Sequence, residues 1–302
     1  MDPVLTPRGG TCRTRRSGMA DRLADLAVAA LIDEVTLTPK PGLVDIRSRG
    51  AHRDLDWSLM CHSARTLQPT FTALAEAGAG AASSPALRES IGAIGRNGEA
   101  AMLAATGGVN THRGAIWALG LLVTAAAMAP SERAPARVAA RAGGLARLPD
   151  RHAPGFTGNK GELACRAYGV GGARGQAHAG FPHAVHVALP KLRQSRAVGA
   201  TEDAARLDAL LAVMAELDDT CVLSRGGPAA LACAQAGARA VLESGGAGTR
   251  AGRAALHALE RELIARNVSP GGAADLLAAA LFLDRFETED PIQPKGEPGW
   301  NN

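Results

Sequence analysis

His52-Arg53-Asp54-Leu55-Asp56 places an imidazole and two carboxylates within one short turn. Oxygen donors at that density suit Mg²⁺, which binds through one or two carboxylates together with substrate phosphates. Asp218-Asp219 would add carboxylates from a helix end, so His52, Asp54, Asp56, Asp218 and Asp219 form the expected metal set. Helix capping is the competing duty for each of these aspartates. A second cluster, Thr106-Gly107-Gly108-Val109-Asn110-Thr111-His112-Arg113-Gly114, precedes an apolar run. Its backbone amides, with Asn110, Thr111 and Arg113, suit a phosphate at the positive end of the helix that follows. The GxxxxGK[ST] spacing of a Walker A loop is absent, and no strand precedes the cluster as a Rossmann fingerprint requires.

Lys40, Lys160, Arg174 and Arg225 lie among glycines rather than along exposed helix faces. Glycine lets a backbone approach a ligand closely, so this placement favours contact with an anion. Asn159 shares the Gly158–Glu162 loop with Lys160. Glu162 is a candidate general base or an ion-pair partner of Lys160. Asp275 opens an apolar helix after Gly271-Gly272, where it favours the helix dipole or orients a basic residue. Cys61, Cys165, Cys221 and Cys233 have no evident base beside them, which disfavours a cysteine nucleophile.

These loops need elements to hold them, and the elements read as helices. Alanine is abundant, β-branched residues are sparse and no alternating apolar run is long enough for a strand. Asp21 is expected to cap a helix carrying Leu23, Leu26, Ala27, Ala30 and Leu31, and Ser84-Pro85, Thr201 and Ser269-Pro270 mark further starts. The expected fold is all-α: a single compact multi-helix domain over residues 19–286, its active site built from glycine-rich loops between helices. Residues 130–157, with Pro130, Pro135, Pro149, Pro154 and several arginines, read as a surface excursion.

The net charge is +4, from Lys+Arg 33 against Asp+Glu 29. Residues 1–18 carry a net +3 and residues 287–302 a net −3, so they read as offsetting basic and acidic disordered tails. No basic stripe runs along the body and aromatic residues are only 3%, which excludes a polynucleotide-binding face. The same scarcity assigns any adenine recognition to aliphatic packing and hydrogen bonds. Five cysteines without CxxC spacing, no signal-peptide core and no run able to span a bilayer point to a cytoplasmic protein. An alanine-rich helical surface would allow a homodimer.

Taken in order, the loops resemble the triphosphoribosyl-dephospho-coenzyme A synthase family, which serves citrate lyase and malonate decarboxylase. The carrying motifs are Thr38-Pro-Lys-Pro-Gly-Leu-Val-Asp45, Gly50-Ala-His-Arg-Asp54, Thr106–Gly114, Gly158-Asn-Lys-Gly-Glu162, Gly172-Ala-Arg-Gly175, Asp219-Thr220, Arg225-Gly-Gly227 and Gly271-Gly-Ala-Ala-Asp275. Gln176, where glutamate is expected, and Cys221, where asparagine is expected, depart from the pattern.

The resemblance implies an all-α enzyme in which the ribose 2′-hydroxyl of 3′-dephospho-CoA attacks the anomeric carbon of ATP. Adenine leaves, the triphosphate is kept, and the product passes to the prosthetic-group transferase of an acyl carrier protein. It implies Mg²⁺ on the five-residue metal set and phosphate contacts from Lys40, Arg113, Lys160, Arg174 and Arg225. Glu162 would be the base, and His112 would protonate adenine. With no appended transferase domain in view, the expectation leans to malonate decarboxylase. An all-α metal-dependent hydrolase of ADP-ribose linkages and a non-catalytic nucleotide sensor are the rival readings.

Overall fold

The computed structural model describes residues 10–289, with side chains from residue 18 onward. Every regular element in that span is helical. The chain opens with α1 (Gly10–Thr36), then α2 (Trp57–Thr66), α3 (Gln68–Gly78), α4 (Pro85–Ala105) and α5 (Arg113–Met128). Next come α6 (Pro135–Arg147), α7 (Lys160–Tyr168) and α8 (Gly172–His178), and a π-helical turn His183–Ala188 leads into α9 (Leu189–Ala197). The last four are α10 (Glu202–Glu216), α11 (Thr220–Glu243), α12 (Arg250–Ala265) and α13 (Gly271–Thr288).

Helices α5 and α13 form the centre because they are apolar on nearly every face. Ala115–Ala127 of α5 and Leu276–Leu283 of α13 are almost wholly buried. Around this pair pack α1, α3, α6 and α10, while α11 joins α10 to α12 on one flank. The core is Ala, Leu and Val with few rings, so backbones approach closely. Gly78 of α3 is the tightest illustration: a Cβ there would lie 2.5 Å from the Thr124 carbonyl oxygen of α5.

Ser84 and Thr201 cap α4 and α10 as expected, accepting from Leu87 N–H at 3.2 Å and Ala204 N–H at 3.3 Å. Asp21 does not cap: α1 starts at Gly10, and the Asp21 carboxylate accepts from the Thr72 hydroxyl at 3.3 Å instead. Ser269 is likewise drawn away from capping, to His52. The surface excursion expected at 130–157 is corrected by α6. Val138, Ala139, Ala142, Leu145 and Ala146 recur at helical spacing and join the main core. Its exposed arginines and the N1 proline, Pro135, disguise an ordinary amphipathic helix.

The expected basic tail is partly helical, since α1 includes residues 10–18, and residues 1–9 lie outside the described ones. The acidic tail starts later than 287. Glu287 pairs with Arg193, and Glu289 pairs with Arg22 at 2.6 Å, while residues 290–302 lie outside the described ones. Among the described residues, no helix is long and apolar enough to cross a membrane.

Within α11, Gly227 adopts φ 66°, ψ −167° and is followed by Pro228. The helix is therefore two segments meeting at a break, and the shorter one, Thr220–Gly226, carries Arg225. Replacing Gly78 by alanine should push α3 off α5 and lower unfolding free energy by about 1–3 kcal/mol, the usual cost of overpacking. Urea denaturation followed by circular dichroism measures it.

Candidate active site

Asp219 is the N-cap of α11, and its Oδ1 accepts from the Cys221 N–H at 2.8 Å. Its Oδ2 accepts from the Ala273 N–H in the first turn of α13 at 2.9 Å. One carboxylate thus satisfies donors at two helix starts, each of which leaves N–H groups without internal partners. Burial raises the Asp219 pKa, and its backbone hydrogen bonds only partly counter that. Gly272 permits the approach: a Cβ there would sit 3.1 Å from Oδ2. The start of α5 faces the same space, with the Arg113 N–H donating to Asn110 Oδ1 at 3.2 Å.

These starts, with that of α7, surround a cavity of 1090 Å³. Asp275, one turn into α13, lines it against the first turn of α5. A Cβ on Gly114 would collide with its carboxylate, so glycine at that position makes the room Asp275 occupies. Burial foremost, then the charges of Glu34 and Asp219, push the Asp275 carboxyl well above the usual range.

Lys40 is 1% exposed and forms a buried ion pair with Glu34 of α1. Asp45 shapes the loop around it. Its Oδ2 accepts from the Thr38 hydroxyl at 2.7 Å and the Lys40 N–H at 3.2 Å, and its Oδ1 from the N–H groups of Arg47 and Ser48. Lys40 thus stands at the cavity wall with its charge shared by Glu34, and moving it would strand that carboxylate.

Both cavity histidines are neutral. Burial foremost, with the Lys40 charge, pushes His112 down to about 4. Its Nδ1 lies 2.9 Å from the Ser63 hydroxyl, which in turn contacts the Thr111 hydroxyl at 2.6 Å. Its Nε2 is buried with no partner among protein atoms. Burial, with the Arg225 and Lys160 charges, pushes His52 down to about 4 against the pull of Asp54. His52 Nδ1 accepts from Arg225 Nη2 at 3.2 Å, which leaves Nε2 to donate to the Ser269 hydroxyl at 2.9 Å.

Of the expected site residues, all but Asp56 line the cavity. Asp56 caps α2 through the Leu59 N–H at 2.9 Å and pairs with Arg49 at 3.2 Å. No group of three or more His, Cys, Asp or Glu able to hold a metal is assembled among the described residues. His52 has both ring nitrogens engaged, and Asp56 and Asp219 have their carboxylates committed to caps, which leaves Asp54 and Asp218, both exposed.

Asn159 caps α7, its Oδ1 accepting from the Glu162 N–H at 3.0 Å. Glu162 Oε2 accepts from the Thr157 hydroxyl at 2.7 Å and the Thr157 N–H at 2.9 Å. Those hydrogen bonds hold the Glu162 carboxyl below the usual range. Arg113 shares its charge with Glu99. Lys160, Arg166, Arg174 and Arg225 are exposed cations that line the cavity.

Glu34, Ser63, Arg88, Arg96 and Trp117 belong to the site without having been singled out by sequence. They sit on helices α1, α2, α4 and α5, where no glycine-rich loop flags them. Trp117 also corrects the expectation of purely aliphatic surroundings for adenine, since an indole ring lines the cavity. Of the two departures, Gln176 hydrogen-bonds His183 Nδ1 at 2.9 Å, and burial pushes the Cys221 thiol up, away from thiolate.

A model of the family described as ATP:dephospho-CoA triphosphoribosyl transferase matches residues 20–293, from within α1 to beyond the end of α13. The chain belongs to that family. It is 60% identical over 273 residues to a protein of Azotobacter vinelandii named "Probable 2-(5''-triphosphoribosyl)-3'-dephosphocoenzyme-A synthase", covering 90% of this chain and 94% of that one. It is 58% identical over 263 residues to the 2-(5''-triphosphoribosyl)-3'-dephosphocoenzyme-A synthase of Klebsiella pneumoniae, covering 87% and 94%. No solved structure matches. As a member of the ATP:dephospho-CoA triphosphoribosyl transferase family the protein is a transferase, and an all-α one.

The two neutral histidines make a pH prediction for this transferase. In the unfolded chain both imidazoles bind protons below about pH 6.5, whereas in the fold they do so only near 4. The unfolded state therefore gains protons first as pH falls, and stability drops from about pH 6.5 towards 4. A His112→Asn variant should show a shallower decline than the parent in urea melts across that interval.

Proposed function

We propose that the protein transfers the 5-triphosphoribosyl group of ATP to the ribose 2′-hydroxyl of 3′-dephospho-CoA, releasing adenine. The reading is carried by Asp275, a buried carboxyl at the positive end of α5 whose pKa stands well above the usual range. A carboxyl whose proton affinity is raised by burial takes up a hydroxyl proton more readily than an ordinary carboxylate. In balance, the hydroxyl O–H bond breaks and its oxygen bonds the anomeric carbon. The bond from that carbon to adenine breaks with its electron pair staying on the purine. Asp275 holds the proton in transit, and adenine leaves with it.

The remaining groups support the same step. As positive charge develops on the sugar carbon, Asp275 opposes it as a carboxylate until it takes the hydroxyl proton. Lys160 and Arg225 face the triphosphate. His112, neutral and with Nε2 unpartnered, hydrogen-bonds the purine rather than serving as an imidazolium acid. Asp54 and Asp218 are the carboxylates that would hold Mg²⁺, which would neutralise part of the triphosphate charge. Within the family we assign the product to the acyl carrier of malonate decarboxylase in preference to citrate lyase, by way of a prosthetic-group transferase in the cytoplasm.

Chromatography of ATP with 3′-dephospho-CoA and the protein tests the reading. Free adenine formed only when both are present is the expected result. Adenine or ribose-phosphate products from ATP alone would indicate the hydrolase, and binding without product the sensor. Asp275→Asn should lower kcat by at least ~100-fold with KM for ATP little changed, the scale of a positioned acid–base group. Glu162→Gln should keep turnover within about fivefold. The reverse ranking would return the base to Glu162.

A further inference from the structure

Besides Lys40 and Arg113, paired with Glu34 and Glu99, and Arg166, which lies over the Phe156 ring, the cations lining the cavity include two groups on different elements. The first is Lys160 and Arg225, beside His52 and Asp54. The second is Arg88 and Arg96 of α4 with Arg174 of α8, close enough that the latter two depress the pKa of Arg88, whose burial is the larger cause. Arg88 and Arg96 share Asp150, whose Oδ2 accepts from them at 3.3 Å and 2.8 Å. Arg88 and Arg96 thus share one carboxylate and Arg174 adds a third positive charge beside them, leaving net positive charge. Arg88 is 7% exposed, lines the cavity, and its Nε has no partner among protein atoms.

Two further features shape this second group. The Arg88 guanidinium carbon lies 5.1 Å from the centre of the Trp117 ring, and the indole N–H donates to the Ala173 carbonyl at 3.2 Å. The ring is thereby fixed beside the arginines. Gly95 of α4 also lines the cavity, and a Cβ built on it would meet nothing within 4 Å. The wall next to the arginines is open where a side chain would ordinarily stand.

Resting on the transfer reaction above, we infer that Arg88, Arg96, Arg174 and Trp117 form a separate subsite for the adenosine diphosphate part of the acceptor, 3′-dephospho-CoA. The two substrates share one chemistry, adenosine with a 5′-polyphosphate, so two cationic poles are needed to hold both at once. A Mg²⁺-bearing triphosphate needs carboxylates near its cations, and Asp54 supplies one at the first pole only. At the second pole Asp150 is committed to two arginines, which suits a metal-free diphosphate. The guanidinium groups of Arg96 and Arg174 meet its oxygens, Arg88 adds positive charge behind them, and the adenine stacks at Trp117.

Isothermal titration of the full chain with Mg²⁺-ATP and, separately, with 3′-dephospho-CoA tests the division. Arg96→Ala should weaken 3′-dephospho-CoA at least ~10-fold, the scale of a lost charge-assisted hydrogen bond, and leave ATP within about twofold. Gly95→Leu keeps every charge and suits a helix better than glycine, so it should fold at least as well. It should nonetheless block the acceptor selectively. Arg225→Ala should do the opposite and weaken ATP. Equal losses for both nucleotides, no loss with Gly95→Leu, or a loss confined to ATP would overturn the assignment. Adenine release by the unsubstituted protein separates the two readings: its absence refutes the transfer reaction, whereas its presence with uniform titrations refutes only the second pole.

Discussion

A desolvated carboxylate survives in a protein interior only if its oxygens find donors. Asp219 meets that demand by drawing the first turns of α11 and α13 onto one side chain. The consequence is geometric before it is chemical. Two helix starts that could diverge are held together, and the start of α5 is brought against Asp275 of α13. The backbone dipoles of three helices then converge on one volume, and the glycines at 114 and 272 are what let carboxylates come so near those backbones. Without the Asp219 bridge, the cavity has no fixed wall.

The interior of that volume is already balanced. Lys40 answers Glu34, Arg113 answers Glu99, and the two histidines stay neutral under burial. Charge available to an incoming anion is therefore confined to the rim and to the α4 arginines. At Asp275 burial foremost, then the charges of Glu34 and Asp219, raises the proton affinity. A wall that is electrically quiet except at one protonatable carboxyl, ringed by cations, suits a reaction between two polyanions at an uncharged sugar carbon. The resemblance and the family match identify the partners; the arrangement of charge explains why such a wall suits their meeting.

The helical fold was legible because its signals are local: apolar spacing at Leu207, Leu210, Leu211 and Met214, and capping hydroxyls at Ser84 and Thr201. The glycine-rich loops were legible for a related reason, since glycines clustered with charge rarely serve a helix interior. What could not be read was the division of labour among identical side chains. Asp54, Asp56 and Asp219 look alike in sequence, yet one is exposed, one caps α2, and one joins α11 to α13. That choice depends on contacts between Asp219 and Ala273, 54 positions apart. Arg88 and Trp117 were missed because they lie inside regular helices, and α6 because its arginines drew attention from its buried stripe.

The break at Gly227 gives α11 a mechanical character. Pro228 supplies no N–H to carry a hydrogen bond over the joint, and the left-handed backbone at Gly227 lies outside helical geometry. Torque applied to the long arm by α10 and α12 is not transmitted as a rigid rod would transmit it. The short arm takes its heading from Asp219 and from the bonds of Arg225 to Ala51 and His52. The outer arm can consequently drift, repack or lengthen over evolutionary time while the arginine it would otherwise steer keeps its aim.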